Sequence, residues 1–99
     1  MKLDIQSVHF KADQKLLDFI QVKADKLEQY FDGILGGEVI LRLDKNGEKE
    51  NKIVEIKLDV PGNSLFAKKQ KGSFEEATDE ATEALRRQVI KLKEKVKAH

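Results

Sequence analysis

The last fourteen residues of the chain, 86 to 99, hold Arg86, Arg87, Lys91, Lys93, Lys95 and Lys97 against a single acid, Glu94. The chemistry open to such a run is electrostatic. Regularly spaced guanidinium and ammonium groups neutralise the phosphates of a polyanion and release its condensed counterions. The local charge is +5, six bases less one acid, so the other 85 residues sum to −4 within a chain of net charge +1. That asymmetry creates a directed field, and directed fields steer charged partners. Immediately upstream, "SFEEATDEATEA" (73–84) carries five acids and no base.

Other chemistry finds no footing in the sequence. His9 belongs to a strand or strand end and His99 is terminal; two isolated histidines without a cysteine make neither a metal site nor a catalytic pair. Ser7, Ser64 and Ser73 have no base placed to activate them, and Gly33, Gly36 and Gly37 are not followed by the GKS/T of a phosphate-binding loop. The carboxylates of "GSFEEATDE" fall at helical spacing, which suits a solvated face and a helix start. Phe66 and Phe74 are expected in the core, with stacking on a nucleobase as the alternative. No catalytic residue, metal or cofactor is expected.

The elements that must position the basic run follow from hydrophobic periodicity. "KLDIQSVHF" alternates at Leu3 and Ile5, then shifts phase to Val8 and Phe10, as an opening strand. Asp13 is the candidate N-cap of a helix through "QKLLDFIQVKADKLEQYF", in which Leu16, Ile20, Ala24, Leu27 and Phe31 form one stripe. Asp32-Gly33 and Gly36-Gly37 are expected to stop it. "GEVILRLD" places Val39, Leu41 and Leu43 on one face of a strand, and "KNGEKEN" is a turn between antiparallel strands. "KIVEIKLDV" alternates most cleanly, with Val54, Ile56, Leu58 and Val60 inward and Glu55, Lys57 and Asp59 outward, which implies a sheet with one wet face. Pro61-Gly62-Asn63 is a turn, and "SLFAKKQ" a last short strand. Ser73 and Glu76 form a capping box for a second helix, whose stripe is Ala77, Ala81, Leu85, Val89, Leu92 and Val96. The fold class is therefore α+β: a β-α-β-β-β-α two-layer sandwich with both helices on one face of a four-stranded sheet.

A helix over residues 73–97 is about 37 Å long at 1.5 Å per residue. A chain of this size has a radius of gyration near ~13 Å, so the basic end is expected to overhang the sheet. At about 100° per residue, Arg87, Lys91 and Lys95 line one flank of the apolar stripe, and Arg86, Lys93 and Lys97 the other. Lys23 and Lys26 on the first helix could extend this surface, as could Lys68, Lys69 and Lys71. Acids early and bases late also complement the helix dipole, and Glu83 to Arg87 is a favourable i, i+4 pair. The dipole effect fades within the last turn, however, and Arg86 and Arg87 sit three turns inside.

Size and composition set the class. Ninety-nine residues make one domain, 1–99, with a thin core, since 39% of residues are hydrophobic and 37% charged. The absence of cysteine suits a reducing cytoplasm, the N-terminus lacks the apolar run of a signal peptide, and no stretch could span a bilayer.

The element order, "KLEQYFDGI" (26–34) closing the first helix, "EATDEATEALRRQ" and the final "LRRQVIKLKEKVKAH" together resemble the ribosome hibernation-promoting factor family. This family is also called ribosome-associated inhibitor A or sigma-54 modulation protein, and the chain is similar to its short form. The resemblance implies a fold similar to a double-stranded-RNA-binding domain, no catalysis, and a protein that is monomeric when free. It implies binding to the small ribosomal subunit and its ribosomal RNA in the decoding channel, where mRNA and the A- and P-site tRNAs lie. The consequence would be silenced translation and ribosomes preserved in stationary phase or stress. The family's basic surface falls here on Lys23, Lys26, Arg87, Lys91 and Lys95; the helical wheel adds Arg86 and Lys93. The chain departs at Glu75 and Ala84, where relatives often carry a tyrosine and a lysine. Two other readings compete. The amphipathic helix could dock into a protein groove, through Val89, Leu92 and Val96. A sequence-specific DNA binder is the weaker option, because no helix-turn-helix spacing or dimer seam is visible.

Overall fold

A computed structural model describes the backbone of residues 1–45 and 49–97, with side chains through Lys95. In chain order the elements are β1 (Leu3–Ser7), α1 (Gln14–Asp25), a 3₁₀ turn (Lys26–Gln29), β2 (Gly36–Leu43), β3 (Lys52–Val60), β4 (Asn63–Lys71) and α2 (Phe74–Lys97). The sheet order is β1-β2-β3-β4, and β1 runs parallel to β2 while the other neighbours are antiparallel. The β1-α1-β2 segment is therefore a crossover, which lays α1 across the same face that α2 covers.

That face is apolar by alternation. Val39 and Leu41 of β2, Val54, Ile56, Leu58 and Val60 of β3, and Ala67 of β4 are buried, together with Leu16, Ile20 and Leu27 and with Ala77, Ala81, Leu85 and Val89 of α2. The expected inward set of β3 is met at all four positions. Leu43 shares the face but lies at the strand end and stays 42% exposed. The last strand is longer than expected: β4 matches the nine residues of β3, from Val60↔Asn63 to Lys52↔Lys71. Gly62, at φ +74°, follows Pro61 in the connecting turn, the left-handed position that glycine takes without strain. Of the β2–β3 turn, residues 46–48 lie outside the described residues; Asp44 N–H donates to the Asn51 carbonyl at 2.8 Å and closes it.

Three local readings change. The phase shift after Ile5 is not strand: β1 ends at Ser7, and His9, at φ +65°, turns the chain toward α1. The Ser7 hydroxyl donates to the Phe10 carbonyl at 2.7 Å across this turn, and the Phe10 ring stacks on Phe74 at 5.2 Å between centroids. The first helix does not run unbroken to Phe31. It tightens to 3₁₀ at Lys26, which keeps Leu27 buried as the helix ends. Gly36-Gly37 is not a turn but the start of β2, with Gly37 N–H bonded to the Lys2 carbonyl at 3.0 Å. A Cβ at Gly37 would lie 2.8 Å from the Lys57 carbonyl, so the strands approach there as only glycine permits.

The helix starts match their caps. The Asp13 carboxylate accepts from Leu16 N–H at 2.9 Å, and the Ser73 hydroxyl from Glu76 N–H at 3.1 Å. The returning Glu76 bond of a full capping box is not made among the described residues. At about 1.5 Å per residue, the 24 residues of α2 span roughly 36 Å. The molecule is correspondingly elongated, 49 × 23 × 19 Å.

Candidate nucleic-acid interface

The sheet holds α2 firmly only along its first two-thirds. Ala77, Ala81, Leu85 and Val89 are fully buried, Leu92 is half-buried, and Lys91, Lys93, Glu94 and Lys95 are exposed. On the sheet side the Gln88 amide donates to the Phe66 carbonyl of β4 at 2.9 Å, and Val89 and Leu92 still pack on the core. Beyond Leu92 the described side chains are exposed, and the helix end overhangs the sheet. The side chains of Val96 and Lys97, at the end of the expected stripe and basic row, lie outside the described residues.

The seven candidate cations divide by flank. On the α1 side, Lys23, Lys26 and Arg86 line a groove of about 450 Å³ between the first helix and α2, floored by Leu27 and Tyr30 and closed by Asp79, Thr82 and Glu83. Lys93 continues this flank past Tyr30 and Phe31, beside Glu28 and Asp32. On the other flank, Arg87 and Lys91 stand with Ala84 and Gln88, next to the β4 edge. Lys95 follows them one turn on by helical spacing. Across the ridge between the flanks sits Ile90, half-buried and off the buried stripe.

Ion pairs separate these cations further. Lys23 Nζ bonds Asp79 at 2.9 Å and lies 5.4 Å from the centre of the Phe19 ring. Arg86 grips Glu83 twice, Nε to Oε2 at 3.0 Å and Nη2 to Oε1 at 2.6 Å, with its guanidinium 5.8 Å above Tyr30. That hydrogen bond holds the Glu83 carboxyl below its ordinary range and raises Arg86 further. The partner of Glu83 expected from i, i+4 spacing, Arg87, reaches it only at 3.7 Å. Lys26, Lys91, Lys93 and Lys95 have no ion pair among the described residues.

The flanking lysines of β4 do not all join. Lys71 pairs with Glu80 of α2 at 3.0 Å, which raises its ammonium above the ordinary value. Lys68 alternates to the outer face of the sheet with Phe66, which is 52% exposed, whereas Phe74 is buried as expected. Phe66 is thus outside the core. Tyr30 and Asp79 are site residues that sequence reasoning missed, and Glu83 entered it only as the i, i+4 partner of Arg87. Tyr30 fell inside the helix reading, and Asp79 looked like ordinary first-half helix charge.

A four-stranded mixed sheet, two helices on one face and an overhanging basic helix end define the class. A family model described as "Sigma 54 modulation protein / S30EA ribosomal protein" matches residues 3–97, and the chain belongs to that family. Among its relatives, the chain is similar to the ribosome hibernation promoting factor of Escherichia coli, 32% identical over 99 residues and the whole of both chains. It is similarly 32% identical over 95 residues to that of Pseudomonas putida, across 96% of this chain and 89% of the relative. The fold is that of the Thermus thermophilus Protein Y N-terminal domain, with a TM-score of 0.81 at 25% identity, covering 93% of this chain and 99% of that one. A ribosomal subunit interface protein from Coxiella burnetii shares the fold at a TM-score of 0.82 and 19% identity, covering 94% of this chain and 98% of that one.

Proposed function

We propose that this chain acts as one ribosome-binding domain, a non-enzymatic hibernation factor that occupies the decoding channel of the small ribosomal subunit. There it contacts ribosomal RNA in place of mRNA and the A- and P-site tRNAs. Translation is silenced and ribosomes are preserved in stationary phase or stress. The protein works in the cytoplasm, as a monomer when free and without a cofactor. The observation that carries this reading is the convergence of Lys23, Lys26, Arg86 and Lys93 along one flank of an overhanging helix whose other flank bears Arg87, Lys91 and Lys95. A rigid rod with cations on both sides fits a channel walled by phosphates better than it fits a single flat surface. The hibernation factors among its relatives support the hibernation role.

The competing protein-docking reading loses ground to packing. Val89 is fully buried and Leu92 half-buried in the protein's own core, so the apolar side of the helix is largely occupied. Co-sedimentation with purified small subunits tests the proposal, followed by sucrose-gradient profiles of stationary-phase lysate with and without the protein. Binding to the small subunit and a changed ribosome profile are expected. Failure to sediment with small subunits refutes it.

A further inference from the structure

Two acids stand inside the cationic surface. Asp79 and Glu83 project from α2 into the groove that Lys23, Lys26 and Arg86 line, and both are about half exposed at 52% and 47%. Each is already bonded to a cation: Asp79 to Lys23, Glu83 doubly to Arg86 and more loosely to Arg87. Neither pairing is needed to close the core, since all these side chains lie outside it.

Their effect is on net charge and on geometry together. Lys23 with Asp79 sums to zero, and Arg86 and Arg87 with Glu83 to +1, whereas Lys26, Lys91, Lys93 and Lys95 are unopposed by an ion pair among the described residues. Toward a flexible polyanion, which responds to net charge, these two acids therefore take about two from the seven cations, beyond what Glu94 and the Glu28 and Asp32 beside Lys93 remove without an ion pair to them. Yet the paired cations keep donors. Glu83 occupies two of the five N–H donors of Arg86, and Asp79 one of the three of Lys23. The bidentate grip and the Tyr30 ring beneath also hold the guanidinium in one orientation. A phosphate fixed at the right place by folded RNA can take those remaining donors without displacing the acids. A loose strand gains little from them.

We infer that Asp79 and Glu83 are specificity-determining residues, which offset part of the basic surface toward unstructured polyanions and hold Lys23 and Arg86 in place for phosphates presented by folded RNA. This rests on the ribosome-binding reading of the same surface, and it explains how a strongly basic helix end could sit among cellular RNA without being titrated by it.

The test compares Asp79→Asn/Glu83→Gln with a control of equal net charge, Asp4→Asn/Glu38→Gln, whose acids lie side by side on the outer sheet face. The probes are single-stranded oligouridylate and purified small subunits, with folding checked by circular dichroism. Removing two opposing charges should steepen the log–log salt slope on the oligonucleotide by about 1.4, at roughly 0.7 per charge. At 0.1 M salt that is more than a tenfold gain in affinity, roughly 1.4 decades by the same coefficient. Small-subunit affinity should change by less, so the ratio of subunit to oligonucleotide binding falls. An unchanged slope in the groove variant overturns the inference, and so does an equal change in the control. If the unaltered protein fails to bind small subunits, the ribosome reading fails by itself, and the oligonucleotide slopes still judge the role of the acids.

Discussion

Replacing Arg87, Lys91 and Lys95 together by glutamine isolates the flank of α2 that stands beside the β4 edge. All three side chains are exposed, Arg87 to 64%, and among the described residues their one ion pair is the long 3.7 Å approach of Arg87 to Glu83. Glutamine has nearly the helix propensity of lysine and arginine, so stability should hold within about 0.5 kcal/mol. Binding should not hold. Every phosphate that goes unneutralised takes about 0.7 from the log–log salt slope on single-stranded RNA and about 0.9 on a duplex. Three such phosphates make the slope shallower by roughly 2.1 to 2.7 by the same coefficients. At 0.1 M monovalent salt this is about two decades of affinity, or roughly 3 kcal/mol at about 1.4 kcal/mol per decade. The assay is sedimentation with small subunits over a series of potassium concentrations at fixed magnesium, beside a thermal melt of the free variant. Equal slopes for the variant and the unaltered protein would refute the reasoning, because a row that neutralises phosphates cannot be removed without changing counterion release. A uniform loss of binding at every salt, together with a lowered melting temperature, would refute it equally by tracing the loss to folding.

Three further outcomes concern the scaffold. The Thr78 hydroxyl is fully buried without a hydrogen-bond partner among the described residues, so Thr78→Val should stabilise the fold by about 1 kcal/mol. In a thermal melt that is a rise of roughly 4–8 °C for a domain of this size. Gly37→Ala places a Cβ 2.8 Å from the Lys57 carbonyl, 3.0 Å from Leu58 Cδ2 and 3.1 Å from Leu3 Cδ2, and should cost about 1–3 kcal/mol in denaturant unfolding. Because the Arg86 hydrogen bond lowers the Glu83 pKa in the folded state, its contribution is present above the ordinary carboxylate range and is lost as pH falls through the lowered value. Glu83→Gln should therefore flatten the acid limb of a stability-against-pH curve and leave the shape of the neutral limb unchanged.

The sequence reveals what local periodicity controls. The alternation in β3 named its four buried residues, and the stripe from Ala77 to Val89 named the buried face of α2. The basic rows followed from helical spacing alone. What escaped depends on contacts between distant segments. The parallel pairing of β1 with β2 needs the crossover through α1, and Gly36-Gly37 reads as a turn until the neighbouring strands crowd it. Phe66 and Phe74 look alike in sequence, yet strand alternation puts Phe66 on the wet face, whereas Phe74 at the start of α2 stacks on Phe10. In the candidate site, the i, i+4 rule favoured Arg87 as the partner of Glu83, whereas the guanidinium that takes it is Arg86, seated over Tyr30 from the other side of the groove. The Lys23–Asp79 bond joins two helices 56 positions apart, as 79 less 23, and no local rule reaches that far.

The overhang of α2 also sets a gradient in the lifetimes of its backbone hydrogen bonds. From Leu85 to Val89 the helix is clamped by fully buried side chains, so its amides should exchange with solvent only through global unfolding. At Leu92 the clamp is half released, and Lys93, Glu94 and Lys95 are all exposed, so they add no buried side chain to hold the helix. Those amides should exchange through brief local openings, orders of magnitude faster than the ones five residues before them. A partner that grips the lysines would close that difference, so protection appearing at residues 92–95 would register occupancy of the helix end directly, residue by residue.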